Sequence, residues 1–195
     1  MRVLYITANP KLIHHSVSLS LGELALQYYR ELNPSHITDR LDLTTEEYPH
    51  LNSDTLSNFM NPHSNLATQS KIFKDYDKYI IVAPMWNLTV PSALKAYLDT
   101  VIIPNVLFRY TEQGTCEGLC GGKMIYIGAR GGDYSHPPQS EYAFDDKYME
   151  GIAKMIGLES YQSYVANAVG GYRRRSVAQW VEHAKYDIEQ MVTSF

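Results

Sequence analysis

The chain has 195 residues, of which 45% are hydrophobic and 19% charged, and its net charge is −4. That length suits one compact domain with a full core, so residues 1–195 are read as a single unit. The acidic balance lacks the basic footprint of nucleic-acid binding, and no apolar run reaches membrane-spanning length. The first strand follows the N-terminal Met directly, with no basic, apolar leader ahead of it. The two cysteines, Cys116 and Cys120, have no metal-like partners nearby in sequence. Two free thiols, no metal and a reducing, cytoplasmic setting are therefore expected.

Strand and helix patterns alternate along the whole chain. Residues 2–7 form a short apolar run, read as a buried strand. Residues 18–33 carry Leu21, Leu24, Ala25, Tyr28 and Leu32 at helical spacing, and Asn33-Pro34 stops the helix. Residues 36–43 read as a second strand. Residues 44–65 are polar, a long connection with one short helix at 53–59. A helix at 66–76 leads to the third strand, 78–83. The next helix, 92–103, has Leu94, Leu98, Val101 and Ile102 facing inward. Residues 105–122 are irregular with room for a small hairpin, and 123–129 form the fourth strand. After a loop at 130–139 come a helix at 140–156, a fifth strand at 160–166 and a last helix at 172–193. That helix presents Val177, Val181, Ala184, Ile188 and Met191 on one face. Arg173, Arg174 and Arg175 read as its solvated entry.

Five strands with intervening helices imply an α/β fold: a doubly wound parallel sheet with helices on both faces. The expected strand order is 2-1-3-4-5, with the binding crevice at the carboxyl ends of strands one, three and four. The loops after those three strands are chemically distinctive. The first runs from Asn9 through His14, His15, Ser16 and Val17 to Ser18, at the start of a helix. Its hydroxyls and unpaired N–H groups suit a phosphate, or the serines simply cap the helix. His14 and His15 have no clustered carboxylates and read as solvent-exposed. The third strand ends in Pro84-Met85-Trp86-Asn87-Leu88, a turn that either offers backbone donors and a flat ring to a ligand or places Trp86 as a cap on the core. The fourth ends in Ala129-Arg130-Gly131-Gly132, where two glycines permit close backbone approach, or a plain flexible turn in which Arg130 pairs locally. The absence of a Walker loop and of G-x-G-x-x-G argues against ATP and the common dinucleotide folds. No hydrolase elbow or zinc-protease motif occurs. A phosphate grip, an aromatic wall and a glycine wall together suit a flavin mononucleotide.

The stretches ANPKLIHHSVS, PMWNLTVPSALKAYLDTVI, FRYTEQG and ARGGDYS, in that order, resemble the FMN-dependent NADH-azoreductases among the flavodoxin-like quinone reductases. The resemblance is weakest over residues 44–65. It implies a flavodoxin-like fold and a homodimer with FMN near its interface. Ser16 and Ser18 would hold the phosphate, and Met85, Trp86, Asn87 and Leu88 would line the ring system. Gly131 and Gly132 would bond the pyrimidine edge, and Tyr110 would close the partner subunit's pocket. Asn9 and Ala129 stand where some relatives have serine. The implied activity is ping-pong, with hydride passing from NADH or NADPH to the flavin and two electrons then passing to a quinone or azo compound. Two rivals differ in class. A flavodoxin-type electron carrier would lack its own NADH turnover, and a flavin-free relative would act only as an interaction partner.

Overall fold

The computed structural model describes all residues except Glu46, Glu47, Met60, Pro62 and 172–174. The sheet has the order β2-β1-β3-β6-β7, built from Ile37–Asp42, Arg2–Thr7, Lys78–Pro84, Lys123–Ala129 and Ser160–Ala166, and every pairing is parallel. This is the expected order: the fourth and fifth strands become β6 and β7 because a hairpin of β4 (Phe108–Tyr110) and β5 (Cys116–Gly118) intervenes.

The helices are α1 (Val17–Leu32), α2 (Ser53–Ser57), α3 (Asn65–Lys74), α4 (Ser92–Val101), α5 (Phe144–Met155) and α6 (Val177–Ser194). Both sheet faces are apolar, because a parallel sheet is covered on both sides. Successive residues of β1, β3 and β6 therefore feed two cores. Val3, Tyr5, Ile80, Val82, Ile125 and Ile127 pack under α1 and α6. Leu4, Ile6, Tyr79, Ile81, Met124 and Tyr126 pack under α3, α4 and α5. Tyr5, Tyr29, Tyr79 and Tyr126 are fully buried core residues. The Tyr79 hydroxyl is satisfied by the Phe73 and Tyr76 carbonyls at 2.8 and 3.2 Å.

Two helix starts and one buried stripe differ notably from the sequence expectation. The helix expected at 140–156 is broken: Gln139–Tyr142 form a 3-10 turn, and α5 starts at Phe144. The Phe144 N–H is bonded to the Leu88 carbonyl at 3.0 Å, so a tertiary bond fixes the helix entry. The last helix starts at Val177 rather than 172, because Ser176 and Gln179 form a capping box there. The expected helix residues 172–174, with Arg173 and Arg174 of the arginine run, lie outside the described residues. The stripe of α1 is rotated: Gly22, Leu26 and Tyr29 join Leu21 and Ala25 inside, and Leu32 is exposed.

Gly22 is what lets α1 lie close to the sheet. A methyl group there would sit 2.6 Å from Val82 Cγ2 and 2.7 Å from the Tyr5 hydroxyl. Gly22→Ala therefore forces α1 away from β1 and β3, at a cost of about 1–3 kcal/mol for overpacking. For a domain of this size we expect the melting temperature to fall by roughly 2–12 °C, at about 2–4 °C per kcal/mol. An unchanged thermal melt would show that the helix already stands clear of the sheet.

Candidate active site

A cavity of about 780 Å³ opens where the loops after β1, β3, β6 and β7 meet, within the roughly 300–1,000 Å³ usual for small-molecule sites. Its first wall is the turn into α1. Asn9 is buried there, and its Nδ2 donates to Ser16 Oγ at 2.8 Å and to Ser18 Oγ at 3.3 Å. The two serine hydroxyls lie 3.2 Å apart. Ser16 caps the helix by accepting the Leu19 N–H at 3.2 Å, and Ser18 does not cap. The Leu19 and Ser20 N–H groups are thus used within the turn. Those of Val17 and Ser18 have no acceptor among the described residues and sit at the positive end of the helix dipole. Lys11, His14 and His15 surround this end, and Arg175 reaches the cavity from the loop before α6. Two of the basic side chains of an otherwise acidic protein, Lys11 and Arg175, thus line the cavity at a helix N-terminus.

The second wall follows β3. Met85 donates its N–H to the Ala129 carbonyl at 2.9 Å, prolonging the pairing of β3 and β6. Trp86 and Thr89 then exchange backbone hydrogen bonds at 2.9 and 3.2 Å, closing a tight turn. Its central residues, Asn87 and Leu88, take φ values of 47° and 74°. Such turns usually place Gly or Asn at these positions, and a leucine there is strained. Trp86 remains 41% exposed, so it is not a cap on the core. The turn holds it as an open flat surface beside the cavity.

The third wall follows β6. Gly170 N–H bonds the Gly131 carbonyl at 3.0 Å, and Ala168 N–H bonds the Gly132 carbonyl at 2.8 Å. These bonds occupy the two carbonyls and leave the Gly131 and Gly132 N–H groups without acceptors among the described residues. A Cβ on Gly131 would meet nothing within 4 Å, so the backbone there faces open space. Arg130 turns away: its side chain is buried against Asp145, fifteen residues on, rather than paired within its own loop.

Of the residues singled out in the sequence, Asn9, Ser16, Val17, Ser18, Pro84, Met85, Trp86, Ala129 and Gly131 line the cavity. Asn87, Leu88 and Gly132 are exposed beside the cavity without lining it, Arg130 is buried behind it, and Tyr110 lies on the hairpin, 67% exposed and outside the lining. Sequence reading missed the fourth wall, where Val169, Gly170, Arg175, Ser176 and Gln179 line the cavity from the β7–α6 connection. The Gly170-Gly171 pair and the Ser176–Gln179 capping box were the available signals.

Comparison with known proteins places this geometry. A family model described as having a flavodoxin-like fold matches residues 1–191. The FMN-dependent NADH:quinone oxidoreductase of Caldicellulosiruptor saccharolyticus is 34% identical over 171 residues, covering 85% of each chain. The protein of that name from Bacillus pumilus is 32% identical over 203 residues, covering 94% of this chain and 96% of its own. The crystal structure of an azoreductase from Bacillus anthracis str. Sterne superposes with a TM-score of 0.88 at 26% identity, over 100% of this chain and 99% of that one. The chain belongs to the flavodoxin-like family of FMN-dependent NADH:quinone oxidoreductases. Among the described residues no Asp or Glu lines this cavity, and His14 and His15 are its only histidines.

Neither cysteine lines this cavity. Both are free, and burial pushes the Cys120 thiol up to about 11. Its Sγ lies 3.9 Å from the Leu107 carbonyl. At pH 8 Cys120 is almost wholly a neutral thiol, and the thiolate is the reactive form. We expect alkylation of Cys120, followed by peptide mass spectrometry, to stay slow at pH 8 and to accelerate as pH rises toward about 11. Fast modification of folded protein at pH 8 would contradict this.

Proposed function

We propose that this chain is an FMN-dependent NADH:quinone oxidoreductase that also reduces azo compounds. The observation that carries this reading is the pairing of an anion-binding helix terminus with an open aromatic flank and a glycine backbone in one cavity. The residues fit FMN. The Val17 and Ser18 N–H groups and the Ser16 and Ser18 hydroxyls would receive its phosphate. The turn that carries Met85 and Trp86 would flank the ring system, and the unpaired N–H groups of Gly131 and Gly132 would meet its acceptor edge. Bound FMN supplies hydride acceptance from NADH and two-electron delivery to a quinone or azo compound. This chain's own residues bind, orient and shield. Lys11 and Arg175 would offset the phosphate charge, His14 and His15 would line the same end, and the exposed face of Trp86 leaves a flat landing surface for each substrate in turn. An electron carrier without NADH turnover finds no support among the relatives, which are named as NADH-dependent oxidoreductases.

The test is an anaerobic absorbance titration of FMN-reconstituted protein. NADH is expected to bleach the bound flavin, and a simple quinone to restore the oxidised spectrum. Bound flavin that NADH leaves oxidised would favour the carrier. Ser18→Ala removes a hydroxyl that caps nothing, so it is expected to weaken FMN about tenfold with little change in melting temperature. Ser16→Ala also removes the α1 cap, and should cost about 1 kcal/mol of stability besides.

The working unit in this proposal is a cytoplasmic two-fold homodimer. Trp86, Leu88, Tyr142 and Phe144 are large apolar residues left exposed, and the Phe144–Leu88 backbone bond joins the two segments that carry them. Tyr110 adds an exposed ring on the hairpin. Patches of this kind mark interfaces, and the two-fold dimer is the commonest assembly. Among the described residues no helix is long and apolar enough to cross a membrane. Light scattering is expected to give twice the chain mass of 22.2 kDa. A stable monomer with full activity would refute the dimer.

A further inference from the structure

Behind the glycine wall lies a buried ion pair to which cofactor binding gives no direct task. The Arg130 and Asp145 side chains are 8% and 0% exposed. The guanidinium meets the carboxylate through Nε at 3.0 Å and Nη2 at 2.8 Å. The Arg130 main chain is held as firmly, with its N–H on the Ala166 carbonyl at 2.8 Å and its own carbonyl accepting the Val169 N–H at 3.0 Å. A longer contact, 3.5 Å, runs from Nη1 to Asn167 Oδ1, which also accepts the Tyr134 N–H.

Asp145 lies in the first turn of α5, where the helix terminus favours a carboxylate. The residue before it, Phe144, donates its N–H to the Leu88 carbonyl of the aromatic turn. The Tyr126 hydroxyl donates toward Asp145 Oδ2 and toward the Ala83 carbonyl at the end of β3, both at 3.4 Å. One helical turn therefore grips both the aromatic wall and the glycine wall. Buried ion pairs are seldom the most stabilising choice for a core, since well-packed apolar side chains often serve stability as well or better. Registry between the two loops is a role such a pair can serve.

We infer that the Arg130–Asp145 pair is a positioning device that fixes the glycine wall against the aromatic wall and so aims the Gly131 and Gly132 N–H groups at the flavin's pyrimidine edge. This rests on the proposed flavin site. Donors held at that edge stabilise the negative charge that gathers there when two electrons arrive. Loosening the pair weakens flavin binding, more so in the reduced state, and drives the midpoint potential negative. Arg130 and Asp145 are positioning residues here and touch no reacting atom.

The test compares the holoenzyme with Arg130→Lys and with the double variant Arg130→Met/Asp145→Leu, which leaves no buried charge unpaired. Three quantities are read: melting temperature without flavin, FMN dissociation constant, and midpoint potential by dye-equilibrated reduction. The double variant is expected to fold, to bind FMN about tenfold more weakly, the size of one net hydrogen bond, and to have a more negative potential. Arg130→Lys, which keeps the charge without the fork, is expected to fall between it and the wild type. A folded double variant with wild-type affinity and potential would overturn the inference and leave the pair purely structural. Wild-type protein that takes up no FMN would overturn the proposed function as well, so the two failures are distinguishable.

Discussion

Parallel strand pairing is the constraint from which the rest follows. Neighbouring parallel strands cannot be joined by a hairpin, so each return needs a crossover, and helices come to cover both faces. Every turn from strand to helix then leaves from the same edge of the sheet. In this chain the loops after β1, β3, β6 and β7 are far apart in sequence, yet they line one cavity. The sheet order places β1, β3 and β6 side by side at its centre, so their loops meet at the point where the winding direction changes.

The loops are tied together because several of their carbonyls accept from one another. Gly131 and Gly132 accept from Gly170 and Ala168, Trp86 and Thr89 pair across their turn, and Leu88 accepts from the first residue of α5. Among the described residues the first two N–H groups of α1 and the N–H groups of the two glycines are left without acceptors. Unpaired donors and a rim of Lys11, His14, His15 and Arg175 are what the proposed FMN, an anionic and acceptor-edged guest, would meet there. Strain at Leu88 belongs to the same design, since a tertiary hydrogen bond holds a conformation that a leucine seldom adopts.

Much of this was legible in the chain. The apolar runs of β1, β3 and β6 announced buried strands, and the alternation of strands with helical spacing led to the sheet order found. The three chemically unusual loops were recognisable because Asn, Ser, Trp, Pro and Gly cluster where strands end. Less legible were features decided by partners distant in sequence. The helix expected from residue 140 begins only at Phe144, because the Leu88 carbonyl takes its first N–H. Arg130 reads locally as a loop residue near a ligand, yet Asp145 draws it beneath the wall. The contribution of Arg175, Ser176 and Gln179 was missed, since nothing in their own segment shows that α6 starts beside α1.

By itself the sequence determined the class of fold, the positions of its strands and the chemistry available at their ends. Those depend on hydrophobic period and local turn chemistry, which act within a few residues. Only the tertiary structure decided which side chains face the cavity and which stand behind it. Arg130 is hidden because of an ion pair to Asp145, and the turn that exposes Trp86 is held by the Leu88–Phe144 hydrogen bond, both between residues distant in the chain. Such interactions are set by how the packed elements meet and leave no periodic trace in sequence.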